Sequence, residues 1–93
     1  MTDKTTAPWI LEAVKEIGDR INSNPLGWDY KWLASVIAKH APVQPIPVTN
    51  AEVERVLAEW DAILILCGND AHIRPALAVK QLVSTTNTLL AQR

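Results

Sequence analysis

The chain has 93 residues, of which nine are Lys or Arg and ten are Asp or Glu, and its formal net charge is -1. Hydrophobic residues make up 48% of the chain and charged residues 20%, a composition that is typical of a single globular domain and excludes a disordered chain. The near-zero charge also argues against a generic binder of polyanions, because phosphate binding requires a surplus of cations.

Cysteine usage and the lack of apolar targeting segments predict a soluble, cytoplasmic protein. The single cysteine, Cys67, excludes an internal disulfide, and a domain without disulfides is typical of a reducing compartment. The polar residues 1–6 do not resemble a signal peptide. The longest apolar run, residues 62–67, is much shorter than the about 20 residues that span a bilayer. We therefore expect no membrane contact.

Hydrophobic periodicity predicts an all-α protein with four helices in one domain over residues 1–93. The first helix covers about 8–22 and begins at Pro8, whose missing N–H suits the first helical position. The second covers about 28–40, starting at Trp28 or Asp29. Their apolar stripes are Ile10, Ala13, Val14, Ile17 and Ile21 in the first helix, and Tyr30, Leu33, Val36, Ile37 and His40 in the second.

Residues 41–48 include three prolines, which exclude a helix and predict an extended, proline-rich strap across the bundle between helices 2 and 3. The third helix, 50–67, has the clearest start signal, because Thr49 and Glu52 have the spacing of a capping box. Its stripe begins with Val53, Val56, Leu57 and Trp60.

The second half of helix 3 is apolar on all sides, which predicts that this helix is the central element and that Gly68 ends it. The fourth helix is predicted over 75–91, with Pro75 in its first turn and a short turn over 71–74 before it. Its stripe is Ala76, Val79, Leu82, Val83, Thr86, Leu89 and Leu90.

The reactive side chains do not form a motif that carries catalysis or binds a metal. The two histidines, His40 and His72, lie 32 positions apart, and His40 falls on an apolar stripe, which predicts a histidine at the core edge with one nitrogen satisfied. Cys67 is expected to be buried. The sequence therefore predicts no catalytic residue, no cofactor, no metal site and no enzymatic activity.

Residues 33–38 and 49–57 resemble the two-helix core of helix-turn-helix proteins, which would imply a DNA-binding regulator. The connection between the two helices is longer than the usual turn of three or four residues. The recognition helix would also present Glu52, Glu54 and Glu59 to phosphates, whereas groove-reading helices use cations and amides. Nucleic acid is therefore not the partner that we predict.

Tryptophan is the unusual feature of the composition, with four Trp residues, one Tyr and no Phe. Trp60 is predicted to be core. Trp9 and Trp32 fall at the edges of their stripes and Trp28 precedes helix 2, so at least one of these three is predicted to lie on a partner surface, because Trp is enriched at interfaces. The alternative, that they only fill a small core, stays open.

The acidic side of helix 3, with Glu52 and Glu59, adds a second candidate for partner binding, since carboxylates suit a protein with a basic surface. The prediction is a small, non-enzymatic protein-interaction module that acts as an adaptor or inhibitor. By analogy of size, it is the kind that phages or mobile elements direct at a host complex. Two alternatives stay open, namely a helix-turn-helix-like DNA-binding regulator and a structural subunit such as a phage assembly component or a homodimer.

Overall fold

The computed structural model describes residues 7–24, 28–42, 47–67 and 76–92, with only the backbone of residues 63–67. Over these ranges the chain is helical and has no strand, so the predicted all-α class is confirmed. The four helices are α1 (Pro8–Ser23), α2 (Tyr30–His40), α3 (Asn50–Cys67) and α4 (Ala76–Ala91). The positions predicted for Gly68, Pro75 and the turn at 71–74 lie outside the described residues.

The start of α2 differs from the predicted position by one or two residues. Asp29 has extended backbone angles and its carboxylate accepts a hydrogen bond of 2.8 Å from the backbone N–H of Trp32. Asp29 is thus the N-cap, and the helix begins one residue later, at Tyr30. The sequence analysis placed Trp28 or Asp29 inside the helix because it did not use this capping signal.

The predicted start of α3 is confirmed. The backbone N–H of Glu52 donates to the Thr49 hydroxyl oxygen at 3.2 Å, and that hydroxyl donates to the Glu52 carboxylate at 3.5 Å. The backbone carbonyl of Thr49 also accepts from the N–H of Val53 at 3.1 Å. The Thr49 hydroxyl therefore satisfies the N–H of Glu52, which the first turn would otherwise leave unpaired.

The helices pack in a ring with the order α1, α2, α4, α3. The most extensive contact joins α2 to α4, followed by α1 to α3, α1 to α2 and α3 to α4. Each helix thus has two main neighbours, so in the described part of the chain α3 is one of four equivalent members and the expected central position is not observed. The all-apolar stretch that suggested it falls on residues 63–67, whose side chains are not described.

The core is built from the predicted stripes. Trp60, Ile17, Leu33, Ile37, Leu57 and Leu82 are the largest side chains with less than 2% of their surface exposed. Thr86 is buried with its hydroxyl donating to the carbonyl of Leu82 at 2.7 Å, which satisfies the polar group within α4. Ala76 is the exception to the α4 stripe: it is the first residue of the helix and lies exposed.

The connection from α2 to α3 joins two helices at opposite corners of the ring. Its two ends are described, whereas residues 43–46 of the predicted strap lie outside the described residues. At the second end, Val48 is buried and its backbone N–H donates to Oδ1 of Asn87 at 2.8 Å, while Asn87 Nδ2 donates to the Val48 carbonyl at 3.1 Å. Asn87 of α4 thereby fixes the residue that leads into α3.

Candidate protein-interaction surface

The outward side of α3 combines small residues with carboxylates. Ala51, Ala58 and Ala62 are exposed, and their spacing places them in one row along the helix, together with the half-buried Arg55. Carboxylates flank this row on both edges, each pair lying seven residues or about 10.5 Å apart. We call this side the α3 surface; it consists of Ala51, Ala58 and Ala62, with Glu52 and Glu59 on one edge and Glu54 and Asp61 on the other.

The predicted candidates Glu52 and Glu59 therefore share one edge of α3, and both are half-buried. Glu52 also belongs to the capping box, and Glu59 takes part in an interaction within the chain. Glu54, which the sequence analysis did not single out, lies on the opposite edge and is exposed. Helical spacing alone would have found it, because it lies three and four residues from exposed alanines.

The helices on the other side of the ring carry the opposite charge. α2 and α4 contain no Asp or Glu, and they carry Lys31, Lys39 and Lys80 at exposed positions. α3 carries four carboxylates and the single guanidinium of Arg55, which gives a net charge of -3. Because α2 and α3 occupy opposite corners of the ring, the fold converts an uneven charge distribution along the sequence into an acidic and a basic side.

Trp28 is placed against the core by two aromatic contacts. Its ring meets that of Trp60 edge to face, with centroids 5.5 Å apart and planes at 89°, and meets that of Tyr30 at 6.1 Å and 83°. Trp28 and Tyr30 remain partly exposed. Trp28 thus contacts the buried Trp60 of α3 from the residues that precede α2. Hydrophobic periodicity does not predict this contact between a loop and a helix.

Trp32 lies at the seam between α1 and α2, and both Trp32 and Trp9 are half-buried. The guanidinium carbon of Arg20 lies 5.4 Å from the centroid of the Trp32 ring, in cation–π geometry. Trp9 shares an edge of α1 with Glu16 and Arg20, since the three fall at helical spacings of seven and four residues. Of the predicted candidates, Trp32 therefore borders the α1–α2 seam and Trp28 packs toward α3, whereas Trp9 is partly buried against the core.

Charged groups hold the α1–α2 seam at the C-terminal end of α2. Glu16 Oε1 lies 2.7 Å from Nε2 of His40, and Nζ of Lys39 donates to the two carboxylate oxygens at 3.1 and 3.3 Å. The hydrogen bond from His40 is the main reason that the pKa of Glu16 is held below its usual value of 4.5, with Lys39 adding to it and burial opposing it. The expectation of a core-edge histidine with one satisfied nitrogen is confirmed.

The indole nitrogen of Trp60 is a feature that sequence analysis missed. Its N–H is buried without a hydrogen-bond acceptor, an arrangement that costs free energy unless another group compensates. The plane of the neighbouring Trp28 ring lies at 89° to the plane of the Trp60 ring. The apolar stripe predicts that Trp60 is core, but carries no information about the direction of its N–H.

Among the described side chains, no three or more His, Cys, Asp or Glu residues form a group that could hold a metal ion. Of the reactive residues weighed from the sequence, His72 and the side chain of Cys67 lie outside the described part. None of the described helices is both long and apolar enough to cross a membrane.

Comparisons with protein-family models, with curated proteins and with solved structures found no match for this chain. We therefore infer the function from the geometry and charge of the surfaces described above.

Proposed function

We propose that this chain is a protein-interaction module without enzymatic activity, which binds a protein partner with a basic surface through the α3 surface. It would modulate that partner as an adaptor or inhibitor. The observation that supports the proposal most directly is the alanine row of α3 with carboxylates on both of its edges, on the opposite corner of the ring from the lysines of α2.

The chemistry of the α3 surface suits a protein partner. The exposed alanines Ala58 and Ala62 let another surface approach the helix closely, whereas the half-buried Arg55 lies in the same row between Ala51 and Ala58. The carboxylates stand at the edges, where charges at interfaces usually lie, and they would favour basic groups around the contact. Charge complementarity of this kind mainly raises the association rate and excludes acidic partners.

The packing order favours this function over the helix-turn-helix alternative. A helix-turn-helix unit requires its two helices to pack against each other at a steep angle. In the described chain, α2 packs mainly on α1 and α4, and α3 on α1 and α4. A DNA-reading α3 would also bring the four carboxylates of this helix to the phosphates, at an electrostatic cost.

A basic surface is typical of complexes that handle nucleic acid, and an inhibitor of such a host complex, encoded by a phage or mobile element, is the specific form of the function that we propose. In that form the α3 surface would bind the partner at the site where nucleic-acid phosphates otherwise bind. The half-buried Trp28, which packs toward α3, would contribute apolar area where its exposed part adjoins the contact, whereas Trp32 lies away from it at the α1–α2 seam.

The test is comparative capture from a bacterial lysate with three baits, followed by mass spectrometry. The baits are the wild type, a variant with Glu54→Lys and Glu59→Lys on α3, and a control with Glu12→Lys and Asp19→Lys on the exposed side of α1. Both variants change the net charge equally, so a difference between them does not come from net charge. Far-UV circular dichroism of each bait checks that the helices are retained.

We expect a basic protein that the wild type and the α1 control retain and the α3 variant loses. Equal retention by all three baits, or loss from both variants, would contradict the α3 surface as the binding site. A retained partner that is acidic would contradict the proposed partner class.

A further inference from the structure

We propose that a second copy of this chain can occupy the α3 surface, with the exposed row of α2 as its counterpart. The proposal rests on the proposed α3 surface and identifies one basic partner for it. The two rows concerned are Glu54, Ala58 and Asp61 on α3, and Lys31, Ser35 and Lys39 on α2.

The two rows have similar spacing and opposite charge. On α3, a small residue stands between two carboxylates that are seven residues apart, and on α2 a small residue stands between two lysines that are eight residues apart. At about 1.5 Å of rise per residue these separations are about 10.5 and 12 Å, a difference that a lysine side chain can accommodate. Ala58 and Ser35 would face each other, where their small side chains allow the helices to approach.

The residues of both rows reach solvent. Glu54, Ala58, Lys31, Ser35 and Lys39 are exposed, whereas Asp61 is half-buried and takes part in an interaction within its own chain. Lys39 donates to Glu16 within its own chain, but 64% of its side-chain surface remains exposed. Its ammonium group has three donors, so the bond to Glu16 is compatible with a further carboxylate.

The ring order determines the type of contact. α2 and α3 occupy opposite corners, so their outward rows face in opposite directions and one molecule cannot pair its own rows. Contact between the α3 row of one copy and the α2 row of the next is head-to-tail, and such contacts produce open assemblies or rings. The low net charge of -1 provides little overall repulsion against association.

Sedimentation velocity of the full chain over a concentration series tests the proposal directly. At about 10 mM salt the Debye length is about 30 Å, and at about 1 M it is about 3 Å. We expect the average mass to rise above the monomer value of 10.3 kDa at low salt. The apparent association constant should fall by about tenfold or more at high salt.

Two single substitutions at the centres of the rows provide the decisive variants. Ala58→Lys places a cation among the lysines of the facing α2 row, and Ser35→Glu places a carboxylate among the carboxylates of the facing α3 row. Each variant alone should remain monomeric at low salt. An equimolar mixture should associate again, because the unchanged α3 row of the Ser35→Glu variant can meet the unchanged α2 row of the Ala58→Lys variant, and the new lysine can also meet the new glutamate.

The matched controls are Ala91→Lys and Ser84→Glu, which make the same chemical changes on the exposed side of α4. Both should associate as the wild type does. A wild type that stays monomeric at low salt overturns the proposal, and so does a mixture that fails to associate. Controls that become monomeric would also overturn it, because net charge would then be the cause.

Failure of this proposal is distinguishable from failure of the proposed function. Ser35→Glu leaves the α3 surface intact, so as a bait in the lysate experiment it should retain the basic partner as the wild type does. A wild type that stays monomeric but still retains the partner contradicts the self-association proposal alone. A wild type that self-associates but captures no partner contradicts the proposed function alone.

Discussion

Asn87 pairs both ends of its side-chain amide with the backbone of Val48, 39 residues earlier in the chain, through hydrogen bonds of 2.8 and 3.1 Å. The amide acts as a neighbouring peptide group would in a sheet, since it accepts from the N–H and donates to the carbonyl. Val48 is followed directly by the N-cap of α3, so this pairing ties the start of α3 to α4.

Replacing the amide by a carboxylate tests the importance of this pairing. Asn87→Asp keeps the acceptor for the N–H of Val48 but replaces the donor with an oxygen that faces a carbonyl. We expect the free energy of unfolding to fall by about 1–3 kcal/mol, measured by urea denaturation at neutral pH. The loss should shrink toward acidic pH, because a protonated carboxyl regains a donor.

Gln81→Glu is the control for this variant, because it makes the same amide-to-carboxylate change at an exposed position of α4. Its unfolding free energy should stay within about 0.5 kcal/mol of the wild type. Equal losses in both variants would show that charge on α4, and not the pairing with Val48, is responsible.

Local signals in the sequence predicted the helices well, because each depends on residues within one or two turns. The capping box from Thr49 to Glu52 spans four residues, and the α1 stripe repeats every three or four. The start of α2 was misplaced for an equally local reason, since Asp29 is a capping residue that was read as part of the helix.

The ring order and the seam contacts depend on pairs that are distant in sequence. Glu16 meets His40 across 24 positions, and any of the apolar stripes could have packed on any other with similar burial. The charge of each helix was visible in the sequence, but its sorting into two sides follows from the ring order. Helical spacing could have predicted the outward row of α3. It could not have predicted that this row lies on the opposite side of the ring from the lysines of α2.

The tryptophans should differ in their contribution to stability. Trp28 packs on the buried ring of Trp60, whereas Trp32 lies at the α1–α2 seam. We expect Trp28→Ala to lower the unfolding free energy by about 1–3 kcal/mol and Trp32→Ala by less than about 1 kcal/mol. Denaturant unfolding followed by far-UV circular dichroism measures both, and an equal or reversed order contradicts these assigned positions.

Arg20 and Trp32 should be energetically coupled. Because the guanidinium lies over the ring in a partly exposed seam, a double-mutant cycle with Arg20→Ala and Trp32→Ala should give a coupling free energy of about 0.5–1 kcal/mol. The same cycle between Lys15→Ala and Trp32→Ala, with a cation on another edge of α1, should give a value near zero. Equal coupling in the two cycles would argue against the stacked geometry.

Glu16 should make stability depend on pH in the acidic range. Its pKa in the folded state is lower than its ordinary value of 4.5, so the folded protein favours the ionised form. The stabilisation is present above that ordinary pKa and is lost as the pH falls through the folded-state pKa.

Glu16→Gln should therefore flatten the acidic limb of the stability curve and cost at most about 1 kcal/mol at neutral pH, since the seam is partly exposed to solvent. Urea unfolding at a series of pH values measures the curve. Glu12→Gln, at an exposed position of α1, should leave the acidic limb as in the wild type. An unchanged limb in the Glu16 variant would contradict the ion-pair geometry.

The salt dependence of the association rate between this chain and the captured protein tests whether the α3 surface binds a basic partner. For the wild type, we expect the rate constant to fall by about tenfold or more between low and high salt, because electrostatic steering is screened. The variant with Glu54→Lys and Glu59→Lys should associate more slowly at low salt and lose this dependence, while the control with Glu12→Lys and Asp19→Lys keeps it. A wild-type rate constant that is independent of salt, or equal rate constants for the two variants, would contradict the binding of a basic partner by the α3 surface.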